Sequence, residues 1–299
     1  EQGNSSGKLK MTAPYFWSFQ DGDQRRDITC CNLQLKTENN VLKEKMLGNT
    51  PFAIYCGKWD IRQMNEEWRQ VAIATGKAKW MSGINCVRMR YSQVLLMYAE
   101  TLNELASGPD GTYNGASTRI STARKALELV HTRAFADANK SEAENYIAAE
   151  AIVDENAWEL AGEGFRKYDL IRWNLLIDKI KQFKSDYESQ LFSSKNSYPE
   201  KIYFNYSNDD KTSIDISSVT WHGIPSGKSS SDYDDNNNFW GKERTDTKGQ
   251  AQLTVNLPSI SSGLVGDNVA VINRYLLPIA STTISASNGM LHNSYGFSD

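Results

Sequence analysis

The sequence predicts a mainly α fold, a helical scaffold with long irregular loops and a few short β-strands. Two observations carry that expectation. From Arg88 to about residue 187, apolar residues recur at the three-and-four spacing of amphipathic helices. Outside that span the chain breaks into turn-rich stretches with little clean alternation.

Residues 1–87 read as mixed loop and short strands. APYFWSFQDGDQRRDIT suggests an extended aromatic segment, a turn at Asp21-Gly22-Asp23 and more extended chain, and PFAIYCGKWDIR (51–62) has a similar β-like character. Residues 88–190 form the expected helical core. Tyr91, Val94, Leu95, Tyr98, Leu102 and Leu105 share a helical stripe that stops at Gly108-Pro109. Ile120, Ala123, Leu127 and Val130 resume the period, so the two helices make an αα-hairpin. Ser141 and Glu144 form a capping box that opens a third helix through about Leu160, and the helical pattern then runs on to about residue 187. Residues 193–250 are a loop-rich excursion dominated by Ser, Asn, Asp and Gly, and 251–299 are a closing segment.

Composition narrows the function. The 299 residues can bury a sizeable core, and 39% hydrophobic with 23% charged content is that of a globular protein. A net charge of −3 lacks the basic surplus that neutralising phosphates needs, so no nucleic-acid partner is expected. No apolar run is long enough to span a membrane, and the opening EQGNSSGKLK does not read as a signal peptide. Cys30, Cys31, Cys56 and Cys86 lack the paired spacing of a zinc site. The eight Trp and fourteen Tyr are more than a core of this size needs, which points to recognition.

Catalysis finds little support. His131, His222 and His292 flank no nucleophile, and no GxSxG, GxxxxGK or HExxH pattern occurs. The carboxylates of WELAGEGFRKYDLIRWN (158–174) have arginines beside them. Glu163, Arg166, Asp169 and Arg172 recur every third residue, so on a helix they pair as a structural ion network. Ala161, Phe165, Tyr168 and Leu175 form an apolar stripe alongside, while Gly162 and Gly164 suggest a kink or a close backbone approach. DYDDNNNFWGKE places Asp232, Asp234, Asn236, Asn238 and Glu243 at positions one, three, five, seven and twelve, the ligand spacing of a calcium loop. Its sixth position is Asn237, not glycine, and a solvated polar loop is the plainer reading. Trp17, Trp59, Trp80, Trp221 and Trp240 lie outside the clear helical stripes and are candidate platforms for a sugar ring, although any single Trp more often packs a core.

Several stretches together resemble the SusD/RagB family of surface nutrient-binding lipoproteins. RYSQVLLMYAETLNE is similar to that family's RYAEVLLMYAEALNE-like helix, and DENAWELAGEGFRKYDLIRWN to its ERRxELxxEGxRxxDLxRW signature. YLLPI (275–279) resembles its LLPIP segment and NGMLHNSYGF its tail, while GDQRRD (22–27) and YCGKW (55–59) fall where the family has a GDxR turn and a GKY-like strand. Gln93, Asn156 and Ala280 depart from the pattern at scaffold positions. The resemblance implies a tetratricopeptide-like αα scaffold, with 1–299 corresponding to the family's carboxy-terminal region. It implies no catalysis and no cofactor, leaving the calcium loop as a reading of the spacing alone. It further implies capture of an oligosaccharide at the Bacteroidetes outer membrane and partnership with a SusC-like TonB-dependent transporter. The membrane would be met only through a lipid anchor outside this stretch. The runner-up is a helical-repeat interaction module or peptide-binding lid of the transporter.

Overall fold

The computed structural model describes residues 9–47, 54–58, 60–74, 87–137, 140, 143, 151–192, 199, 201–238 and 276–293. Two compact units divide the chain: Glu1–Arg166 with Pro199–Trp240, and Lys167–Tyr198 with Gly241–Asp299. Both are mainly helical where described, and no helix among the described residues is long and apolar enough to cross a membrane.

The first unit opens with helix α1 (Ala13–Ser18), where an extended segment was expected. Pro14 occupies the first turn, where its missing N–H breaks no intrahelical bond, and Phe16 and Trp17 are buried. A second short helix, α2 (Arg25–Thr29), runs into β1 (Cys30–Cys31). The next strands, β2 (Leu33–Glu38) and β3 (Val41–Met46), form an antiparallel hairpin with Glu38 opposite Val41. Asn39 and Asn40 both have positive φ, 52° and 62°, the conformation a two-residue hairpin turn requires. Strand β4 (Tyr55–Cys56) pairs with β1, and helix α3 (Glu66–Ala74) follows.

Helices α4 (Tyr91–Leu105), α5 (Ala123–His131) and α6 (Ala151–Leu160) supply the main core. Leu95 and Leu96 of α4 meet Leu127 and Val130 of α5 and Ala151 and Leu160 of α6. Each such leucine contributes about 1.5–3 kcal/mol by leaving water. The buried arc of α4 is Leu95, Leu96, Ala99 and Leu102, rotated from the expected stripe, so Tyr91, Val94 and Leu105 stay exposed. The α4–α5 link is held by the Tyr98 hydroxyl, which accepts from Ser117 N (2.8 Å) and donates to Ile120 O (3.3 Å). Thr122 caps α5 by accepting from Lys125 N (3.2 Å). Ser141 and Glu144, the expected capping box, lie outside the described residues.

The helical run expected to continue past Leu160 is broken twice. A turn with Gly162 (φ 78°) and Gly164 (φ 88°) precedes α7 (Arg166–Arg172), and Asn174 (φ 56°) separates that helix from α8 (Leu176–Phe192). Part of the expected loop-rich excursion is a sheet. Strand β5 (Lys201–Tyr206) lies between β6 (Ile214–Asp215) and β7 (Asp235–Asn238), all antiparallel. Buried Glu44 of the β2–β3 hairpin ties this sheet down, accepting from Ile214 N (2.8 Å) and Ser213 Oγ (3.0 Å). In the second unit a short helix, α9 (Ser281–Ala286), follows the segment 276–280. There Asn293 clasps Ile279, accepting from its N–H (2.7 Å) and donating to its carbonyl (3.2 Å).

Candidate functional site

A cluster of charged side chains gathers at the carboxyl end of α6. The turn ahead of α2 presents Asp23, which accepts from Arg25 N (2.9 Å), from Nε (3.0 Å) and from Nη2 (2.7 Å). The same guanidinium reaches α6, where Nη1 donates to Glu155 and to Glu159 Oε2 (3.1 Å). His131, at the end of α5, places Nδ1 2.6 Å from Glu155 Oε2, and the carboxylate makes Nδ1 the donor. Arg90, just before α4, donates to both Glu159 and Glu163, and Arg133 donates to Glu159 Oε1 (2.7 Å). Lys58 completes the set, with Nζ 2.5 Å from Glu163 Oε1 and 2.6 Å from the Glu159 carbonyl. Arg90 donates to that carbonyl as well. The last carbonyls of a helix lack intrahelical partners and carry partial negative charge, so two cations there satisfy the end of α6.

Beside the cluster is a cavity of about 400 Å³ lined by Arg25, Lys58, Arg90, Arg133, Glu159 and Glu163, with apolar walls from Ile28, Val87 and Trp158. The cations Arg25, Lys58, Arg90 and Arg133 match Asp23, Glu155, Glu159 and Glu163 in number, and each carboxylate has at least one of them as a partner. Burial would raise the Glu159 pKa, but Arg90, Arg133 and Arg25 overcome it and hold the carboxyl down at about 2. Glu163 is held below its usual range against the same burial, by Arg90 and Lys58. Burial lowers Lys58, with Glu163 opposing. A general acid for glycoside cleavage needs a raised carboxyl pKa, and both glutamates are shifted the other way. The arrangement is a brace.

The expected ion series is split. Glu163 sits in the turn rather than on a helix with Arg166, so it reaches Lys58 and Arg90. Arg166 instead donates to the Val153 carbonyl (2.6 Å) and Asn156 Oδ1 (3.3 Å). Asp169 and Arg172 do pair within α7, at 3.1 Å. Reading 158–174 alone missed Arg25, Lys58 and Arg90. Their signal lay in GDQRRD, YCGKW and RYSQ, stretches remote in sequence that the fold brings together.

The structure places Trp17 and Trp221 in the core, 8% and 3% exposed, which corrects the expectation of surface platforms there. Both rings meet Phe16 edge-on at 5.1 and 5.0 Å, and Arg26 lies over Phe16 (5.6 Å) and Trp221 (5.8 Å). Trp59, Trp80 and Trp240 lie outside the described residues. The expected calcium loop is a strand over Asp235–Asn238. On a strand, alternate side chains stand about 6.6 Å apart, whereas ligands of one calcium ion sit within about 2.6 Å of it. Asp232 caps a turn at Ser229 N (2.7 Å), and Asp234 accepts from Tyr206 N (3.1 Å) and Lys211 Nζ (3.1 Å). These residues do not fit the wrap that the spacing asks for. Among the described residues no group of three or more His, Cys, Asp or Glu is arranged for a metal, and Glu243 lies outside them.

The outward face of the β6–β5–β7 sheet gathers aromatic and amide side chains. Ile202 and Phe204 point into the core, so Lys201 and Tyr203 point out. Asn238 lies opposite Lys201 and Asn236 opposite Tyr203, both asparagines exposed. The half-buried Tyr233 ring packs 5.9 Å from Tyr203, with Lys228 Nζ 5.8 Å from Tyr233. Two phenol rings beside two amides offer apolar platforms with donors and acceptors at their edges.

The first unit thus joins a mainly helical scaffold to a paired charge cluster and an aromatic–amide surface. A family model described as the SusD family matches residues 38–297, and the chain belongs to that family, whose members are substrate-binding and non-catalytic. The curated SusD-like protein P25 of Formosa agariphila is 38% identical over 103 residues. That stretch is 33% of this chain and 17% of the relative. No solved structure matches the chain.

Proposed function

We propose that the protein is a non-catalytic, cell-surface glycan-binding component of a SusC/SusD-type uptake system. In this reading it is held at the outer membrane by a lipid anchor. It captures an oligosaccharide and passes it to a TonB-dependent transporter of the SusC type. The observation that carries the proposal is membership of the SusD family over 38–297. The neutralised charge cluster supports it by taking the most conspicuous acids out of chemistry. The Tyr203–Tyr233 face is the proposed sugar platform, and Trp59, Trp80 and Trp240 remain candidates by sequence. A glycan array probed with the whole chain, followed by calorimetry on the hits, tests this. Tyr203→Ala is expected to weaken the hit about tenfold or more, the loss of roughly one stacking contact. Absence of any glycan binding across plant, host and microbial polysaccharides sinks the reading.

The second reading, a face for another protein, is favoured by one observation. Helix α4 exposes the large apolar side chains Tyr91, Val94, Met97 and Leu105, with exposed Val87 and Met89 just ahead of it. Co-purification of a transporter by a chain without glycan affinity favours this reading.

A further inference from the structure

We propose that Cys30 and Cys56 are a cross-strand disulfide site, and that oxidation there staples β1, which runs on from helix α2 with its Arg25, to β4, which leads into Lys58 of the charge cluster. The register is the first observation. Cys30 of β1 lies directly opposite Cys56 of β4, in antiparallel pairing. The hydrogen bonds give the class of pair. Gly57 N donates to Thr29 O (2.7 Å), bonding the residues that flank the two cysteines rather than the cysteines themselves. Such a non-hydrogen-bonded pair brings its Cα atoms to about 4.5 Å, inside the range of about 4.4–6.8 Å that a disulfide spans.

The neighbouring thiol is turned away. Successive side chains point to opposite faces, so Cys31 shares the other face with Tyr55. Its Sγ donates to Asp60 Oδ2 (3.2 Å) and accepts from Arg62 Nη2 (3.4 Å), away from Cys56. Cys56 Sγ instead lies under the Gly162 turn, 2.9 Å from where a Cβ at that position would stand. Cys30, Cys31 and Cys56 are all thiols in this structure.

The chemistry balances with a small disulfide such as oxidised glutathione. The Cys56 thiolate attacks it, releasing one glutathione and forming a mixed disulfide. The Cys30 thiolate then displaces the second glutathione and closes the protein S–S bond. Two electrons and the two thiol protons leave with the glutathione. Burial raises the pKa of both thiols, more so for Cys30, so Cys56 is the entry point and the reaction quickens with rising pH.

The test uses the whole chain with Cys31→Ser and Cys86→Ser, because Cys30 and Cys31 share the tryptic peptide 27–36. The folded protein is equilibrated with oxidised glutathione, then denatured and analysed by intact mass and peptide mapping. A loss of about 2 Da, a linked pair of peptides bearing Cys30 and Cys56, and a raised melting temperature are expected. Adding Cys56→Ser is expected to abolish the link. Persistence of both thiols, or a stable glutathione adduct without closure, overturns the proposal. So does a link from Cys56 to Cys86 in the unmodified sequence.

Discussion

Glu159 carries a charge that burial alone would neutralise, and three arginines keep it ionised. Removing one partner of a buried pair leaves the others uncompensated, which costs about 3–5 kcal/mol. Glu159→Gln keeps the volume, and it is expected to lower the unfolding free energy by an amount of that order in urea titrations. The sign with pH follows from the lowered pKa. The carboxyl titrates near 4.5 when unfolded and about 2 when folded, so its contribution is complete above 4.5 and fades as pH falls toward 2. The stability gap between the wild type and Glu159→Gln should therefore be widest above pH 4.5 and close by about pH 2. A gap independent of pH across that window would mean that Glu159 acts through packing rather than charge.

At the scale of elements, the turn after α6 is the most demanding join. Gly162 combines a φ of 78° with a neighbour, Cys56 Sγ, 2.9 Å from its missing Cβ, whereas Gly164 has a φ of 88° and open space. Gly164→Ala should cost about 1 kcal/mol from the backbone alone, and Gly162→Ala measurably more. Equal thermal shifts for the two variants would deny the Cys56 contact. Strand β7 yields a second expectation, that calcium or its chelation leaves the melting temperature unchanged. A saturable rise with calcium that Asp232→Asn and Asp234→Asn remove would restore the loop reading. The helices were legible because their period extends over many residues, and the α4–α5 hairpin announces itself by the breaker at Gly108-Pro109. The β2–β3 hairpin was less legible, although Asn39-Asn40 was its turn signal. In β5, KIYFNY alternates clearly only once Ile202 and Phe204 are known to be inside. Burial of Trp17 and Trp221 was not legible, because indole surface is decided by partners from other segments, His222 against Trp17 and Phe16 and Arg26 against Trp221.

Across the first unit, the stretches that made the family legible are those that must meet. Arg25, Lys58, Arg90, Glu159 and Glu163 come from four separated segments and join one neutral cluster, so each constrains the rest. A surface such as Tyr203, Tyr233, Asn236 and Asn238 has no such obligation, which is why the scaffold could be read while the ligand could not. That division is itself testable once an array has identified a glycan. Tyr203→Ala and Tyr233→Ala are expected to lose affinity with melting temperatures within a few degrees of the wild type, since neither ring is fully buried. Glu159→Gln is expected to melt several degrees lower, yet to bind with unchanged affinity at a temperature where circular dichroism shows it folded. If the folded Glu159→Gln protein loses the glycan while the tyrosine variants keep it, the ligand sits in the charged cavity and the cluster is more than a brace.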